Sequence, residues 1–170
     1  MVSIVKEMRG NSIVAKLSGT IEENINFKNL LGDVSGSLIV NTKEVFRINS
    51  DGVRAWIQYF QSLQSKGVKI TYEDCSVAIV EQINMVANFR CGGTVQSIIV
   101  PHLCLKCSTH TDDSYTVDQL KSLDFKVSPL KCPKCGGWAE LDEIPEEYFS
   151  FLTATLDGIC LLYTSPSPRD

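Results

Sequence analysis

Two pairs of cysteines towards the C-terminal end have the spacing of metal ligands. Two residues separate Cys104 from Cys107, two separate Cys132 from Cys135, and 24 residues lie between the pairs. Such Cys-x-x-Cys pairs can bring four thiolates onto one tetrahedral Zn²⁺. Because four protein ligands complete the coordination sphere, no position remains for a substrate or an activated water. The sequence therefore predicts a structural zinc site held by these thiolates.

Other uses of the four thiols remain open at this point: a rubredoxin-like iron site, an iron–sulfur cluster or a redox pair. His102 and His110 flank the first pair and could replace a cysteine ligand, although surface or supporting positions are expected for both. Gly136 and Gly137 follow the second pair, where glycine lets the backbone turn tightly and point its amides at the sulfurs. Trp138 is predicted to cover the site.

Residues suited to catalysis are sparse in the rest of the chain. The sequence has 2 histidines, both beside the cysteine pairs, and contains no nucleophile elbow, phosphate-binding loop or His-Glu-x-x-His motif. Cys75, Cys91 and Cys160 have no partner at ligand spacing and are predicted to be ordinary core cysteines. Arg90 could activate the neighbouring Cys91, but no paired base can be inferred. The chain is therefore predicted not to be an enzyme, with no catalytic residues.

Composition predicts a soluble globular protein in the cytoplasm. Hydrophobic residues make up 44% of the 170 residues and charged residues 21%. No apolar run approaches the roughly 18 residues of a membrane span, and the first residues lack the pattern of a signal peptide. In the reducing cytoplasm, paired cysteines bind metal more often than they form disulfides. Residues 101–150 hold 5 Lys and Arg against 9 Asp and Glu, so no nucleic-acid partner is expected. Because no apolar run is long enough for a membrane span, no membrane partner is expected either.

The first hundred residues alternate between strand and helix patterns. The clearest helix has an apolar stripe at helical spacing, formed by Val53, Trp56, Ile57, Phe60 and Leu63. The other predicted elements are strands at Val2–Met8, Ile13–Leu17, Ser37–Asn41 and Val68–Tyr72, a short helix at Asn24–Leu31, a second amphipathic helix from Val77 to Phe89, and a last strand at Val95–Val100. This alternation predicts an α/β fold with a mixed, mostly parallel sheet and flanking helices, plus a small C-terminal zinc ribbon.

The chain is predicted to have four segments. They are an α/β domain at residues 1–100, the zinc ribbon at 101–144, a C-terminal helix at 145–158 and a disordered or artefactual tail at 159–170. Pro101 marks the first boundary, and residues 108–114 are expected to form a polar loop between the cysteine pairs. The tail is similar to translated sequencing-adapter sequence and is left out of the fold prediction.

Two short segments of the α/β domain resemble a known family. In Val45–Val53 a strand and a short loop lead into a helix start, and Leu17–Ile21 has the order Leu-Ser-Gly-Thr-Ile. Together with the strand–helix order of residues 1–100, they resemble the STAS domain, named for sulfate transporters and anti-sigma factor antagonists. The resemblance implies a STAS-like mixed, mostly parallel sheet with flanking helices, and the cysteine pairs lie outside it.

The match to the family's Asp-Ser-Ser/Thr-Gly-Leu motif is partial. Asn49 stands for the Asp, Ser50 for the first Ser and Gly52 for the Gly. Asp51 occupies the position at which anti-sigma factor antagonists accept phosphate from a partner kinase, and a carboxylate cannot accept it as a stable ester. The resemblance implies a partner-binding surface at these four residues, without the usual phosphoacceptor. Ser50 and Asp51 can also serve only as helix caps, worth about 1 kcal/mol each, and Ser50 stays open as an alternative phosphoacceptor.

These features predict a non-enzymatic regulatory protein-interaction module with a structural zinc site. By resemblance, its partner would be an anti-sigma factor or switch kinase, or another component of a bacterial signalling complex. A nucleic-acid-associated zinc-ribbon protein is the alternative, and an enzyme that uses Cys91 or an unrecognised pocket is a third.

Overall fold

A computed structural model describes residues 2–157, so the predicted tail and Cys160 lie outside the described residues. The first part of the chain contains, in order, β1 (Ser3–Arg9), β2 (Ser12–Ile21), α1 (Phe27–Leu31), β3 (Ser37–Ile48), α2 (Ser50–Ser65), β4 (Lys69–Glu73), α3 (Val77–Met85) and β5 (Thr94–Val95). The second part contains β6 (Ser97–Cys104), β7 (His110–Thr116), α4 (Val117–Ser122), β8 (Leu130–Lys131), β9 (Trp138–Leu141), α5 (Pro145–Tyr148) and α6 (Ser150–Asp157).

The first sheet has five strands in the order β1-β2-β3-β4-β5. β1 runs antiparallel to β2, and the other three neighbouring pairs are parallel. Successive side chains of a strand point to opposite faces, and Leu38 and Val40 on one face of β3 are fully buried. This face packs with the helices in the hydrophobic core. The expectation of an α/β fold with a mixed, mostly parallel sheet is confirmed.

The predicted apolar stripe does form α2, whose buried face packs on an aromatic cluster. Trp56 and Phe60 are fully buried, and the indole of Trp56 stacks on Phe89 with ring centroids 4.8 Å apart. Trp56 Nε1 also donates a hydrogen bond to the Phe89 carbonyl at 3.0 Å. A buried indole usually finds such a partner, because an unpaired N–H is costly away from water.

Two predicted helices have different bounds in the structure. α3 ends at Met85 instead of Phe89, and Val86 is already extended, with φ −114° and ψ 113°. The prediction failed because packing of Phe89 against Trp56 outweighs the helical pattern of its neighbours. α1 begins at Phe27 instead of Asn24, because the side chain of Asn26 caps it by accepting a hydrogen bond from the amide of Asn29 at 3.0 Å.

The predicted last strand belongs to two sheets. It divides at Gln96, whose amide donates to the Tyr72 carbonyl at 2.7 Å, so that β5 ends the first sheet and β6 begins the second. β6 then runs without interruption through Pro101, the residue at which the sequence placed the domain boundary. Proline can lie in this strand because it offers its carbonyl, which accepts from the amide of Asp142 at 2.9 Å.

The second sheet is antiparallel, with the strand order β7-β6-β9-β8. The polar loop expected at residues 108–114 is wrong, since β7 forms there although most of its side chains are exposed and polar. Its pairing with the buried β6 creates the strand, because the partner supplies a complete ladder of backbone hydrogen bonds. A strand that pairs in this way therefore does not need an alternating apolar pattern in its own sequence.

Both sheets share one hydrophobic core. Ile98 and Val100 of β6, Leu120 of α4 and Phe149 pack in the same cluster as the helices of the first sheet. Asn84 of α3 ties the C-terminal helices to this core: its Nδ2 donates to the Tyr148 carbonyl at 3.0 Å, and its Oδ1 accepts from the amide of Phe151 at 3.0 Å. Within residues 2–157, no helix combines the length and the apolar character needed to cross a membrane.

Candidate metal centre and helix start

The two cysteine pairs lie in two turns at one end of the second sheet. Cys104 ends β6, and the first turn leads into β7. The second turn connects β8 to β9 and contains Cys132 and Cys135. The Leu105 amide donates to the carbonyl of Trp138 at 3.1 Å, so a backbone hydrogen bond joins the two turns. Pairing between β6 and β9 thus brings together cysteines that are distant in the sequence.

Both turns have the same backbone geometry. In the first, the Ser108 amide donates to the carbonyl of Cys104 at 3.0 Å, and in the second the Gly136 amide donates to the carbonyl of Cys132 at 2.9 Å. Ser108 and Gly136 both adopt a left-handed conformation, with φ of 61° and 75°. Glycine takes this conformation without steric cost, which is the physical reason for Gly136. The shared geometry presents the cysteines of each turn in the same way.

The four sulfurs are close enough together to bind one metal ion. The Sγ atoms of Cys104, Cys107, Cys132 and Cys135 all lie within 4.8 Å of one another. The Cys104–Cys135 distance is 3.5 Å and the Cys107–Cys132 distance is 3.7 Å. A tetrahedral ion with metal–sulfur bonds of about 2.3 Å requires sulfurs about 3.8 Å apart, whereas a disulfide requires about 2.05 Å. The donor set therefore fits a metal ion with four sulfur ligands.

Backbone amides point at the sulfurs from both turns. The amides of Lys106 and Cys107 lie 3.4 and 3.5 Å from Cys104 Sγ, and the amide of Gly137 lies 3.4 Å from Cys135 Sγ. The expected role of the glycines after the second pair is thus present at Gly137. Such N–H groups stabilise negative charge on sulfur, as second-shell donors commonly do in metal sites.

Hydrogen bonds, neighbouring thiols and desolvation shift the pKa values of three of the cysteines in different directions. Hydrogen bonding by the side chain and then the backbone of Thr109 lowers the pKa of Cys107 to about 6. The amide of Cys107 lowers the pKa of Cys104 despite the opposing effect of desolvation. The Gly137 amide acts in the same direction on Cys135, but the neighbouring thiols and desolvation raise its pKa to about 11. Without a cation, the cluster resists full ionisation, so loading all four thiolates must release protons.

Neither histidine joins the group of sulfurs found among the described residues. His102 was expected near the surface or in support of the site, but its side chain is fully buried in the second sheet, with Nδ1 3.1 Å from the Val100 carbonyl. His110 is exposed and lies 3.7 Å from a carboxylate oxygen of Asp142. The candidate ligands are therefore the four cysteines alone within residues 2–157.

Trp138 does not cover the site, contrary to the prediction. Its side chain is 57% exposed, and the ammonium of Lys131 lies 4.9 Å from the ring centroid. Ala139, the next residue along β9, is fully buried and packs beside Cys104 and Cys132 instead. Side chains alternate along a strand, so the residue after Trp138 faces the metal site and the indole faces away.

The second candidate site is the start of α2, at the end of β3. Asn49 is the N-cap: its side chain accepts a hydrogen bond from the Gly52 amide at 2.8 Å, and its own amide donates to the Ile21 carbonyl at 3.1 Å. Asn49 therefore supplies the helix cap and fixes the helix start to the end of β2.

Gly52 is buried against the backbone of β2. A Cβ atom at this position would lie 2.3 Å from the Ile21 carbonyl oxygen. No side chain fits such a contact, so the helix can approach the strand this closely only with glycine. Ser50 and Asp51 face outward from the same turn, and Arg54 pairs with Asp51 at 3.1 Å. The turn thus combines a fixed backbone with two exposed oxygen-bearing side chains.

The remaining described thiols are poor nucleophiles. Burial raises the pKa of Cys75 to about 12 and that of Cys91 to about 11, so both remain protonated near neutral pH. The Cys91 sulfur lies 3.3 Å from the Asn88 carbonyl and 3.7 Å from the Ile57 carbonyl, in a buried position. Burial therefore outweighs any lowering of the pKa of this thiol by the neighbouring Arg90.

Sequence reasoning overlooked the charge distribution around the metal centre. The turn residues 104–109 and 131–138 contain three lysines and no acidic residue, although residues 101–150 as a whole are acidic. Lys106, Lys131 and Lys134 are all exposed. The sequence does contain a sign of these lysines, since both cysteine pairs have the form Cys-x-Lys-Cys.

Comparisons with known proteins do not extend these observations. The sequence matches no protein-family model, and no curated protein is similar enough to it to count as a match. The geometry of the two sites is therefore the basis of the functional argument.

Proposed function

We propose that the four cysteines hold one Zn²⁺ and that its role is structural. Four thiolates suit zinc, and the complete set of protein ligands leaves no position for a substrate. The antiparallel strands with a cysteine turn at each of two hairpins support the interpretation as a zinc ribbon. When bound, the ion supplies a crosslink between the two turns, and Cys104 carries that crosslink into β6 and the shared core.

The second part of the proposal is that the chain is a non-enzymatic, STAS-like interaction module of the anti-sigma factor antagonist type. The observation that carries it is the start of α2, where Asn49 and Gly52 fix the backbone and leave Ser50 and Asp51 exposed. The sheet order and the single antiparallel pair at β1 agree with the mixed, mostly parallel sheet that the resemblance implies. A partner of the anti-sigma or switch-kinase type would contact this turn.

Asp51 gives the proposed surface a carboxylate that needs no phosphorylation. A carboxylate at a helix N-terminus is favoured by the helix dipole, as a phosphate would be, and Arg54 neutralises only part of its charge because both side chains are exposed. The surface would therefore resemble a phosphorylated helix start at all times and would not be switched at this residue. Stoichiometric phosphate at Ser50 in protein isolated from its host would contradict this unswitched state.

Reversing the charge at the helix start should remove the protein partner. Asp51→Arg changes an exposed side chain, so we expect little change in stability but a reduction of about tenfold or more in captured partner. The measurement is quantitative mass spectrometry of proteins recovered from a native lysate with the full chain as bait. Asp33→Arg, the same change at another exposed acid, is the matched control and should capture the partner like wild type.

Equal recovery with Asp51→Arg and wild type would contradict a partner surface at this turn. Recovery of no protein partner together with turnover of a small molecule would contradict the whole non-enzymatic proposal. These two outcomes are distinguishable because only the second concerns the entire chain.

The lysine-rich metal end favours one second candidate, a nucleic-acid-associated function. Lys131 lies over the ring of the exposed Trp138, and Lys106 and Lys134 are exposed in the same two turns. Leu105, whose amide bonds the Trp138 carbonyl, is 68% exposed. Lysines that follow a phosphate backbone and an aromatic ring that stacks on bases are the elements of single-strand binding. A bound zinc tetrathiolate would add about two negative charges and would reduce, but not cancel, the charge of the lysines.

Single-stranded RNA of about one binding-site length tests this second candidate by fluorescence anisotropy. Binding should weaken as salt rises, and Trp138→Ala should weaken it by about tenfold, since stacking contributes about 1–3 kcal/mol per base. Lys131→Glu should weaken it further, whereas Lys43→Glu, on the exposed part of β3, should not. Absence of binding at low salt, or equal affinity of all variants, would exclude this candidate.

A further inference from the structure

A cavity outside both candidate sites lies between the first sheet and α4. Its volume is about 560 Å³, within the range of small-molecule sites. One wall is the face of β4 and β5 opposite the core: Lys69 and Thr71 alternate along β4, and Thr94 pairs with Thr71 in register. The facing wall is α4, where Val117 and Lys121 are four residues apart and so lie on one side of the helix.

The charge of this cavity is opposite to that of the protein. Lys69, Arg90 and Lys121 line it together with one acid, Asp118, although the whole chain has a net charge of −4. Within residues 2–157, none of these three cations takes part in an ion pair. The charges of these three side chains are therefore not engaged by ion pairs within the described residues and can attract an anion that enters the cavity.

Arg90 is the best placed of the three cations. It is half-buried, and two hydrogen bonds of 2.8 Å hold its carbonyl, from the Tyr72 hydroxyl and from the Gly93 amide. Gly93 packs so closely that a Cβ atom there would lie 2.5 Å from the Tyr72 ring. The backbone under Arg90 is therefore fixed, which holds the base of this side chain at the cavity wall, and arginine is suited to binding an anionic oxygen group through its planar guanidinium.

The other lining groups define the rest of the ligand. Thr71 and Thr94 offer hydroxyl groups next to each other on the sheet face. Val117 and Leu152 offer an apolar surface on the other side. A ligand that satisfies both would have an anionic end near the cations and a less polar body against α4 and α6.

We propose that this cavity binds a small phosphate monoester. The excess of two positive charges among the lining residues matches a dianionic phosphate, and arginine pairs with phosphate through two parallel hydrogen bonds. Because the site is concave and of this size, a free small molecule fits it better than the flat surface of a macromolecule does. The site does not depend on the partner surface at α2 or on the identity of the metal.

Ligand-dependent thermal stabilisation and calorimetry of the full, metal-loaded chain test the proposal. The probes are inorganic phosphate, which fits the anionic end alone, and AMP, which adds a body for the apolar wall. Sodium sulfate at equal ionic strength controls for nonspecific salt effects. Wild type should be stabilised by a phosphate probe, since a ligand that binds only the folded state shifts unfolding by mass action.

Arg90→Gln should weaken binding of the probe by about tenfold or more, as expected for loss of one charge-assisted contact. Lys121→Gln should also weaken it, and this exposed position of α4 keeps the test valid if Arg90→Gln does not fold. Lys43→Gln, an exposed lysine that does not line the cavity, should bind like wild type. Failure of both phosphate and AMP to bind, or equal binding by the cavity variants and wild type, would overturn the proposal.

Discussion

Cys132→Ala is expected to remove the metal and to cause the largest loss of stability of any single change in this chain. Cys132 is 2% exposed, and its sulfur lies 3.7 Å from that of Cys107. Metal binding contributes about 10–16 kcal/mol in small zinc domains, which is comparable to the total stability of about 5–15 kcal/mol of a typical protein. The second sheet should therefore not remain folded without the metal.

The loss should extend beyond the metal centre. β6 ends at Cys104 and contributes Ile98 and Val100 to the core shared by both sheets. Without the metal, the two cysteine turns are no longer crosslinked, so the Cys104 end of β6 is no longer held in place. The packing of the C-terminal helices on the shared core should weaken as a result. We expect circular dichroism to show a transition at much lower temperature for the whole chain, not only for its C-terminal part.

Native mass spectrometry under reducing conditions measures the metal directly. Wild type should carry one zinc per chain, and Cys132→Ala none. Cys91→Ala is the matched control: Cys91 is also buried but lies outside the sulfur cluster, so this variant should keep its metal. A metal other than zinc would correct the identity of the ion, and a Cys132→Ala variant with unchanged metal content and melting temperature would contradict the site itself.

Gly52→Ala is expected to destabilise the protein by about 1–3 kcal/mol, the range for forcing a methyl group into a closely packed contact. The new Cβ would lie 2.3 Å from the Ile21 carbonyl oxygen, so either the helix or β2 must move. Helix propensity alone predicts the opposite sign, because alanine is better than glycine in a helix by about 1 kcal/mol. The sign of the measured change therefore distinguishes the close contact from an ordinary helical position.

Urea denaturation followed by circular dichroism measures this change in the free energy of unfolding. Ser50→Ala, two residues earlier in the same turn, is the matched control, because Ser50 is exposed and should alter stability by less than about 0.5 kcal/mol. If Gly52→Ala were as stable as wild type, the close approach of α2 to β2 would be wrong. Ser50 and Asp51 would then not be presented by a backbone that the contact with β2 fixes.

The sequence was most informative where the signal is local. The apolar stripe of α2 has the correct spacing and the structure confirms it, because residues of one helix face must recur every three to four positions. Sequence reasoning failed where distant residues compete with local preference. Phe89 lies beyond the end of α3 and stacks on Trp56. β7 forms a strand because it pairs with β6. Pro101, at which the sequence places a domain boundary, lies within β6, whose pairing with β7 and β9 involves residues distant in the sequence.

The sequence by itself determined that four thiols could meet at one ion, since two residues between cysteines set the geometry of each turn without help from the rest of the chain. Only the tertiary structure decided that these turns belong to a sheet continuous with the shared core, and that Trp138 faces away from the metal. It alone also placed Lys69, Arg90 and Lys121 around one cavity. The sequence does not show that these three residues are close in space, because they are far apart along the chain. They meet only when β4, the loop before β5 and α4 pack against one another.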